Sequence, residues 1–327
     1  MQLSVLDQSV ISKGKNAGQA FGHTVQLARI TEELGFKRFW VAEHHNTNGM
    51  AGTSPEILIS HIASNTRKIR VGSGGVLLPQ YSPYKIAENF KVLESLFPNR
   101  IDLGIGRAPG GSPSTRLALT DGMKKSLNEF PRQVKNLQLY LQNHPHPEQG
   151  VTAYPLIDTV VDLWMMGVTQ RGARLAAECG TAFTYGHFIS PDNGIEAAKH
   201  YLTHFQPSDQ LPVPQMNVCV FVVCAPTQER AEEIALTQDL WLLEVERGTD
   251  TRIPSYAEAN NRVLTAEEKS IVKKNRKRMI IGTPEKVRDD LLTLSEMYQT
   301  DELMIITNIY DFQDKIESYS LIAQVFQ

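Results

Sequence analysis

The chain has 327 residues, 41% of them apolar and 21% charged, with 33 Lys and Arg against 36 Asp and Glu for a net charge of −3. That is ordinary globular composition and excludes a disordered chain; 22 Gly and 17 Pro exclude a collagen-like one. With no cationic excess to neutralise a phosphate backbone, nucleic acid is not expected as a partner.

In chain order, short β-branched runs alternate with longer helical patterns. Residues 3–6 read as a strand, and 21–34 as a helix stopped by Gly35. Residues 38–42 form the next strand. Ser54-Pro55 opens a helix with a capping residue and Pro at N1. A third strand at 69–72 is followed by a helix from Ser82-Pro83, and a fourth at 101–105 by a long helical stretch over about 116–142. Strands at 162–166, 182–185 and 215–224 each precede a helix: 169–178, 191–205, and one begun by Thr227. Thr283-Pro284 caps another helix. A strand at 302–306 and a helix at 312–325 close the chain.

Eight strand–helix units without a composition break predict one α/β domain over 1–327, a (β/α)8 TIM barrel. A doubly wound sheet is the alternative, but the dinucleotide form would want GxGxxG after the first strand, where the chain reads Asp7-Gln8-Ser9-Val10. Residues 241–281 are polar and too long for an ordinary βα loop; they are expected to form a long insertion near the C-terminal mouth that includes a mobile lid, with spare decoration as the alternative. The basic run 273–278 is expected to be a solvated helical face.

The longest apolar run, 218–225, is far shorter than the roughly 20 residues that span a bilayer, so no membrane association is expected. The first residues lack the cationic and apolar regions of a signal peptide. Three cysteines cannot make a disulfide framework. Buried thiols in a cytoplasmic protein are expected.

In a barrel the chemistry gathers at the C-terminal strand ends. The second strand runs into Glu43-His44-His45. Adjacent side chains on an extended strand point to opposite faces, which argues against joint metal ligation, and no second ligand cluster is present, so no metal is expected. Histidine titrates near neutral pH and suits acid–base work. A one-residue register shift would put His45 in place of His44. The third strand ends in Gly72-Ser73-Gly74-Gly75, and the fourth in Gly104-Ile105-Gly106-Arg107-Ala108-Pro109-Gly110. Glycine lets backbone approach a flat ligand closely. Arg107 can clamp a phosphate, and Thr169 stands where a strand turns into a helix whose free N–H groups can hold an anion, although an ordinary N-cap explains Thr169 equally well.

The blocks 41–45, 71–79 and 98–110, in that order and spacing, with 282–285 and 301–306, resemble the bacterial-luciferase-like flavin-dependent monooxygenases, and their non-luminescent members more than the light-emitting subunits. The resemblance implies a barrel that binds FMN at the strand ends. It implies reduced FMN supplied by a separate flavin reductase, and oxidation of a small organic substrate with O2. It also implies a homodimer. Carried over, His44 matches the catalytic histidine and Glu43 the acid near the flavin. Gly74 and Gly75 match a pair joined by a non-prolyl cis peptide against the ring. Arg107 and Thr169 match phosphate-binding residues, and His187 falls in a block used near the substrate. The chain departs from the pattern at Val168 and Gly172, where relatives often carry phosphate-facing hydroxyls, and at Gly110-Gly111-Ser112-Pro113. A deazaflavin-dependent oxidoreductase and a flavin-binding protein without turnover are the competing readings.

Overall fold

The computed structural model describes residues 1–108 and 110–327; of the blocks above, only Pro109 lies outside them. The strands are β1 (Gln2–Asp7), β2 (Arg38–Val41), β3 (Arg70–Val76), β4 (Ile101–Gly106), β5 (Asp162–Gly167), β6 (Ala182–Gly186), β7 (Met216–Cys224), β8 (Met279–Gly282) and β9 (Glu302–Ile306). Strands β1 to β7 pair in parallel in sequence order. Strand β7 also pairs with β9, and β9 with β1, which closes a parallel barrel. All nine residues of β7 are buried, as expected of a strand covered on both faces. The helices are α1 (Ala17–Glu33), α2 (Pro55–Asn65), α3 (Pro83–Leu96), α4 (Pro113–Leu119), α5 (Phe130–Leu141), α6 (Gln170–Glu178), α7 (Gly194–His204), α8 (Gln228–Arg247), α9 (Tyr256–Asn261), α10 (Ala266–Asn275), α11 (Pro284–Tyr298) and α12 (Phe312–Gln324). Among the described residues no helix is long and apolar enough to cross a membrane.

Apolar side chains, among them Leu6, Trp40, Trp164, Phe221 and Met304, fill the barrel interior. Its N-terminal end is sealed by buried ions. Arg38 Nε donates to Glu302 at 2.7 Å and its Nη1 to Asp102 at 2.8 Å, while Trp40 Nε1 donates to Asp102 at 2.8 Å. Arg70 adds a second cation beside Asp102. With this end plugged, any large opening has to lie at the other end.

Four expectations are corrected. The helix at 116–142 is two helices, α4 and α5, separated by Asp121 and Gly122 with φ of +49° and +78°. Ser54 precedes its helix but makes no side-chain cap. Strand β8 was not anticipated; it stands outside the ring, paired with the second half of β7. The 241–281 region begins inside α8, where Trp241, Leu242 and Leu243 are buried. Beyond the helix it is tied to the loops after β1 and β2. Asn48 Nδ2 donates to Asp250 at 3.1 Å, Thr251 N to Asn48 Oδ1 at 3.0 Å, and Ile253 N to Ile11 O at 3.0 Å. A Cβ on Gly49 would lie 1.8 Å from Thr251 O, so the two segments touch backbone to backbone. Within the basic run, Arg276 pairs with Glu232 and Asp239, and Arg278 with Glu246.

Cys219 and Cys224 are buried and Cys179 half-buried, all with free thiols.

Candidate functional site

At the C-terminal end, strands β1 to β6 open onto one cavity of about 1230 Å3. Its lining includes His44, Glu43, Gly74, Gly75, Arg107 and Thr169. His187 is not part of it. That imidazole turns to Tyr298, with Nδ1 2.9 Å from the hydroxyl, and burial pushes its pKa down to about 4. No residue of 241–281 lines the cavity either.

Chain leaving β2 keeps the alternation of a strand, so Glu43 and His45 fall together and His44 apart. Glu43 accepts from His45 Nε2 at 2.7 Å, from Tyr81 Oη and, at 2.8 Å, from Leu77 N. The last bond ties the acid to the segment just past Gly74-Gly75. The peptide between those glycines is cis. Gly75 has no room for a side chain, and one on Gly74 would need the end of Leu6 to shift. A Cβ on Gly74 would sit 2.5 Å from Leu6 Cδ1, and one on Gly75 2.7 Å from Gly104 O and 2.6 Å from Met166 Sδ. The backbone there is wedged against its neighbours.

His44 lines the cavity and His45 does not. Gln8 Nε2 lies 3.3 Å from His44 Nε2. His44 Nδ1 is buried and has no partner among the described residues. Burial, with His45 beside it, pushes the ring's pKa down to about 4. The expectation of a group titrating near neutrality is therefore corrected: at neutral pH this imidazole is uncharged, because its surroundings do not solvate the cation.

The other side of the cavity is cationic. Arg107 leaves β4 half-buried, its Nε donating to Leu127 O at 3.3 Å. Its terminal amino groups make no bond among the described residues. Thr169 is the N-cap of α6 and its Oγ1 accepts from Gly172 N at 3.3 Å, so that hydroxyl is engaged by its own helix. The first N–H groups of α6 remain without helical partners, next to Arg171; Arg174 lines the same rim but is paired there with Glu178 at 3.0 Å. Sequence reasoning missed Gln8, Arg171 and Arg174. Gln8 was legible only as a polar residue at a strand end. The arginines carried no signal beyond their place after Thr169.

Between the two sides the floor is open. A Cβ on Gly106 would meet nothing nearer than Ala108 N at 3.9 Å. Met166, Val168 and Phe188 add apolar surface. The arrangement suits a flat ring with an anionic tail, and leaves an uncharged imidazole to exchange a hydrogen bond with whatever lies above it.

Residues 1–300 match the family model described as luciferase-like monooxygenase. The uncharacterized protein YceB of Bacillus subtilis (strain 168) is 50% identical over 329 residues, covering 100% of this chain and 99% of that one. N-acetyl-S-alkylcysteine monooxygenase of the same strain is 33% identical over 328 residues, covering 99% and 97%. Among solved structures, apo-MsnO8 superposes with a TM-score of 0.92 at 35% identity, covering 99% and 98%. Two more distant structures share the fold. One is the oxygenating constituent of 3,6-diketocamphane monooxygenase from Pseudomonas putida, in complex with FMN (TM-score 0.74, 19% identity, 99% and 97% covered). The other is an F420-dependent secondary alcohol dehydrogenase (TM-score 0.69, 13% identity, 100% and 99% covered).

Proposed function

The chain belongs to the luciferase-like monooxygenase family, and from that premise we propose that it is an FMN-dependent monooxygenase acting on a small, largely apolar molecule. The observation that carries this reading is one cavity lined by an uncharged histidine with a free buried nitrogen, a glycine floor, and a cationic rim at a helix N-terminus. Reduced FMN, when bound, supplies the two electrons with which O2 is split between the substrate and water. The residues of this chain do the rest. Gly74, Gly75 and Gly106 give a flat surface for the ring. Arg107 and the first turn of α6 hold the phosphate, Arg171 adding charge. Glu43 holds Leu77 N and so the backbone beside the ring. His44 lines the cavity beside the ring and is the group placed to exchange a proton there.

In this reading the chain is one barrel domain, a homodimer in the cytoplasm, with reduced FMN delivered by a separate flavin reductase. The relative that acts on N-acetyl-S-alkylcysteines makes thioethers the first substrates to try. The apolar surface of Met166, Val168 and Phe188 suits an alkyl tail. His187, against Tyr298, would then act on substrate only through the β6–α7 loop that it anchors.

An anaerobic titration with FMN and with F420, followed by O2 uptake on reduced FMN with an N-acetyl-S-alkylcysteine, tests the proposal. FMN binding and substrate-dependent formation of oxidised thioether support it. Tight F420 binding without FMN binding would make the chain a hydride-transfer enzyme. FMN binding without turnover on any thioether, sulfide or aldehyde would make it a flavin carrier.

A further inference from the structure

His44 is backed by amides rather than by a carboxylate. Its Nε2 faces Gln8 Nε2 at 3.3 Å. An amide nitrogen donates and does not accept, so in this contact the imidazole is the acceptor. At its other end Gln8 Oε1 accepts from Asn308 Nδ2 at 2.7 Å, which leaves Asn308 Oδ1 buried without a partner among the described residues. Asn308 is held through its backbone, whose N–H donates to Gln238 Oε1 at 2.9 Å. Gln8, Asn308 and Gln238 are all buried. These contacts join α8, the segment after β9 and the segment after β1 behind the ring, the link from Gln238 to Asn308 being through the Asn308 backbone. Among the described residues no carboxylate reaches His44, since Glu43 is taken up by His45, Tyr81 and Leu77 N.

We propose that Gln8, aligned by Asn308, is a positioning residue that fixes His44 as the Nδ1–H tautomer, so that the ring meets bound ligand as a hydrogen-bond donor. The reasoning is a proton count. A neutral imidazole carries one proton, and if Nε2 accepts, that proton sits on Nδ1. Nδ1 is the buried nitrogen without a partner. A buried N–H left unpaired is costly; Nδ1 is closed to the open cavity, so it gains a partner only as ligand binding opens that side of the ring. The polarity is opposite to that of a histidine backed by a carboxylate, which donates its N–H to the carboxylate and turns a basic lone pair outward. In this protein the ring steadies or protonates an oxygen in the reaction and does not begin by removing a proton. The assignment of that role rests on His44 acting in turnover, as proposed above.

The test is nitrogen NMR on protein labelled with 15N-histidine, at neutral pH and without flavin, with the His44 signals identified by their loss in His44→Gln. Wild type is expected to show a protonated, pyrrole-type Nδ1 and a pyridine-type Nε2. Gln8→Glu offers Nε2 an acceptor and is expected to exchange the two patterns; Gln8→Met, similar in size, is expected to average them. With oxidation assayed alongside, Gln8→Glu should lower kcat by roughly 10²-fold, the lower end of what general acid catalysis contributes, with KM little changed. A wild-type ring protonated at Nε2, or a Gln8→Met spectrum identical to wild type, overturns the inference whatever the activity. Full turnover by His44→Gln instead overturns the functional reading and leaves the tautomer result standing, because the spectra are taken without cofactor or substrate.

Discussion

Gly106→Val separates ligand binding from folding at this site. Gly106 ends β4, is half-buried and lines the cavity. A Cβ there would meet nothing nearer than Ala108 N at 3.9 Å, so the new side chain enters open space instead of neighbouring backbone. A β-branched residue also suits a strand, and losing a strand glycine is worth about 0.5–1 kcal/mol of stability. The melting temperature should therefore hold or rise. Flavin lying across β4, however, would meet three added carbon atoms. Overpacking of that kind costs about 1–3 kcal/mol, or about 5- to 150-fold in Kd. Gly75→Val is the contrasting variant: its Cβ would sit 2.7 Å from Gly104 O, a backbone atom that cannot step aside, so it should lose stability as well as binding. The assay is anaerobic fluorescence titration with FMN beside calorimetric melting. A Gly106→Val protein that melts like wild type and binds FMN within twofold of it would refute the placement of the ring against β4.

Arg107→Ala should weaken FMN by about 10- to 150-fold, the worth of a charge-assisted hydrogen bond, and toward the low end because the side chain is half-exposed; riboflavin, which has no phosphate, should be unaffected. Equal losses for both flavins in a binding titration would remove Arg107 from the phosphate site. His44→Gln should lower turnover by roughly 10²–10⁴-fold while FMN affinity moves far less. If stopped-flow kinetics put that loss on His45→Gln instead, the wrong imidazole has been assigned. Arg38→Met leaves Asp102 and Glu302 buried without their shared cation, and should cost about 3–5 kcal/mol in a urea melt. Burial alone would raise both carboxyls, but Arg38 and Arg70 beside Asp102, and Arg38 and Lys37 beside Glu302, outweigh it and hold both below their ordinary values. A depressed folded pKa means that this stabilisation is fully present above the unfolded values near pH 4 and is lost as pH falls through the folded ones. In acid, the stability deficit of Arg38→Met relative to wild type, followed by circular dichroism, should shrink as pH falls below about 4; a deficit unchanged at lower pH would refute the ion plug as an acid-sensitive element.

The barrel was legible in the sequence because a strand buried on both faces must be a short apolar run, and a covering helix must show its own period; 101–105 and 215–224 are such runs. The same alternation places strand ends together, so Glu43, His44, Gly74, Gly75, Arg107 and Thr169 could be assigned to one mouth before any distance was known. Alternation also separates His44 from Glu43 and His45, but it carries no absolute face. Which imidazole meets the cavity was decided by the bonds of Glu43 to Tyr81 and Leu77, thirty-four and more residues away. The 241–281 region misled because it is polar on average. Its buried members are held by bonds that composition cannot show: Trp241 donates to Thr251 O, and Ile253 pairs with Ile11 and Lys13 from the start of the chain. The amide chain behind His44 and the ions under the barrel lie deeper still. Gln8 and Asn308 are 300 positions apart, and Arg38 is 264 from Glu302. Local propensity and period act over a few residues. Closing β9 onto β1 brings the two ends of the chain together, and only that closure sets the tautomer of a histidine near one end by an asparagine near the other.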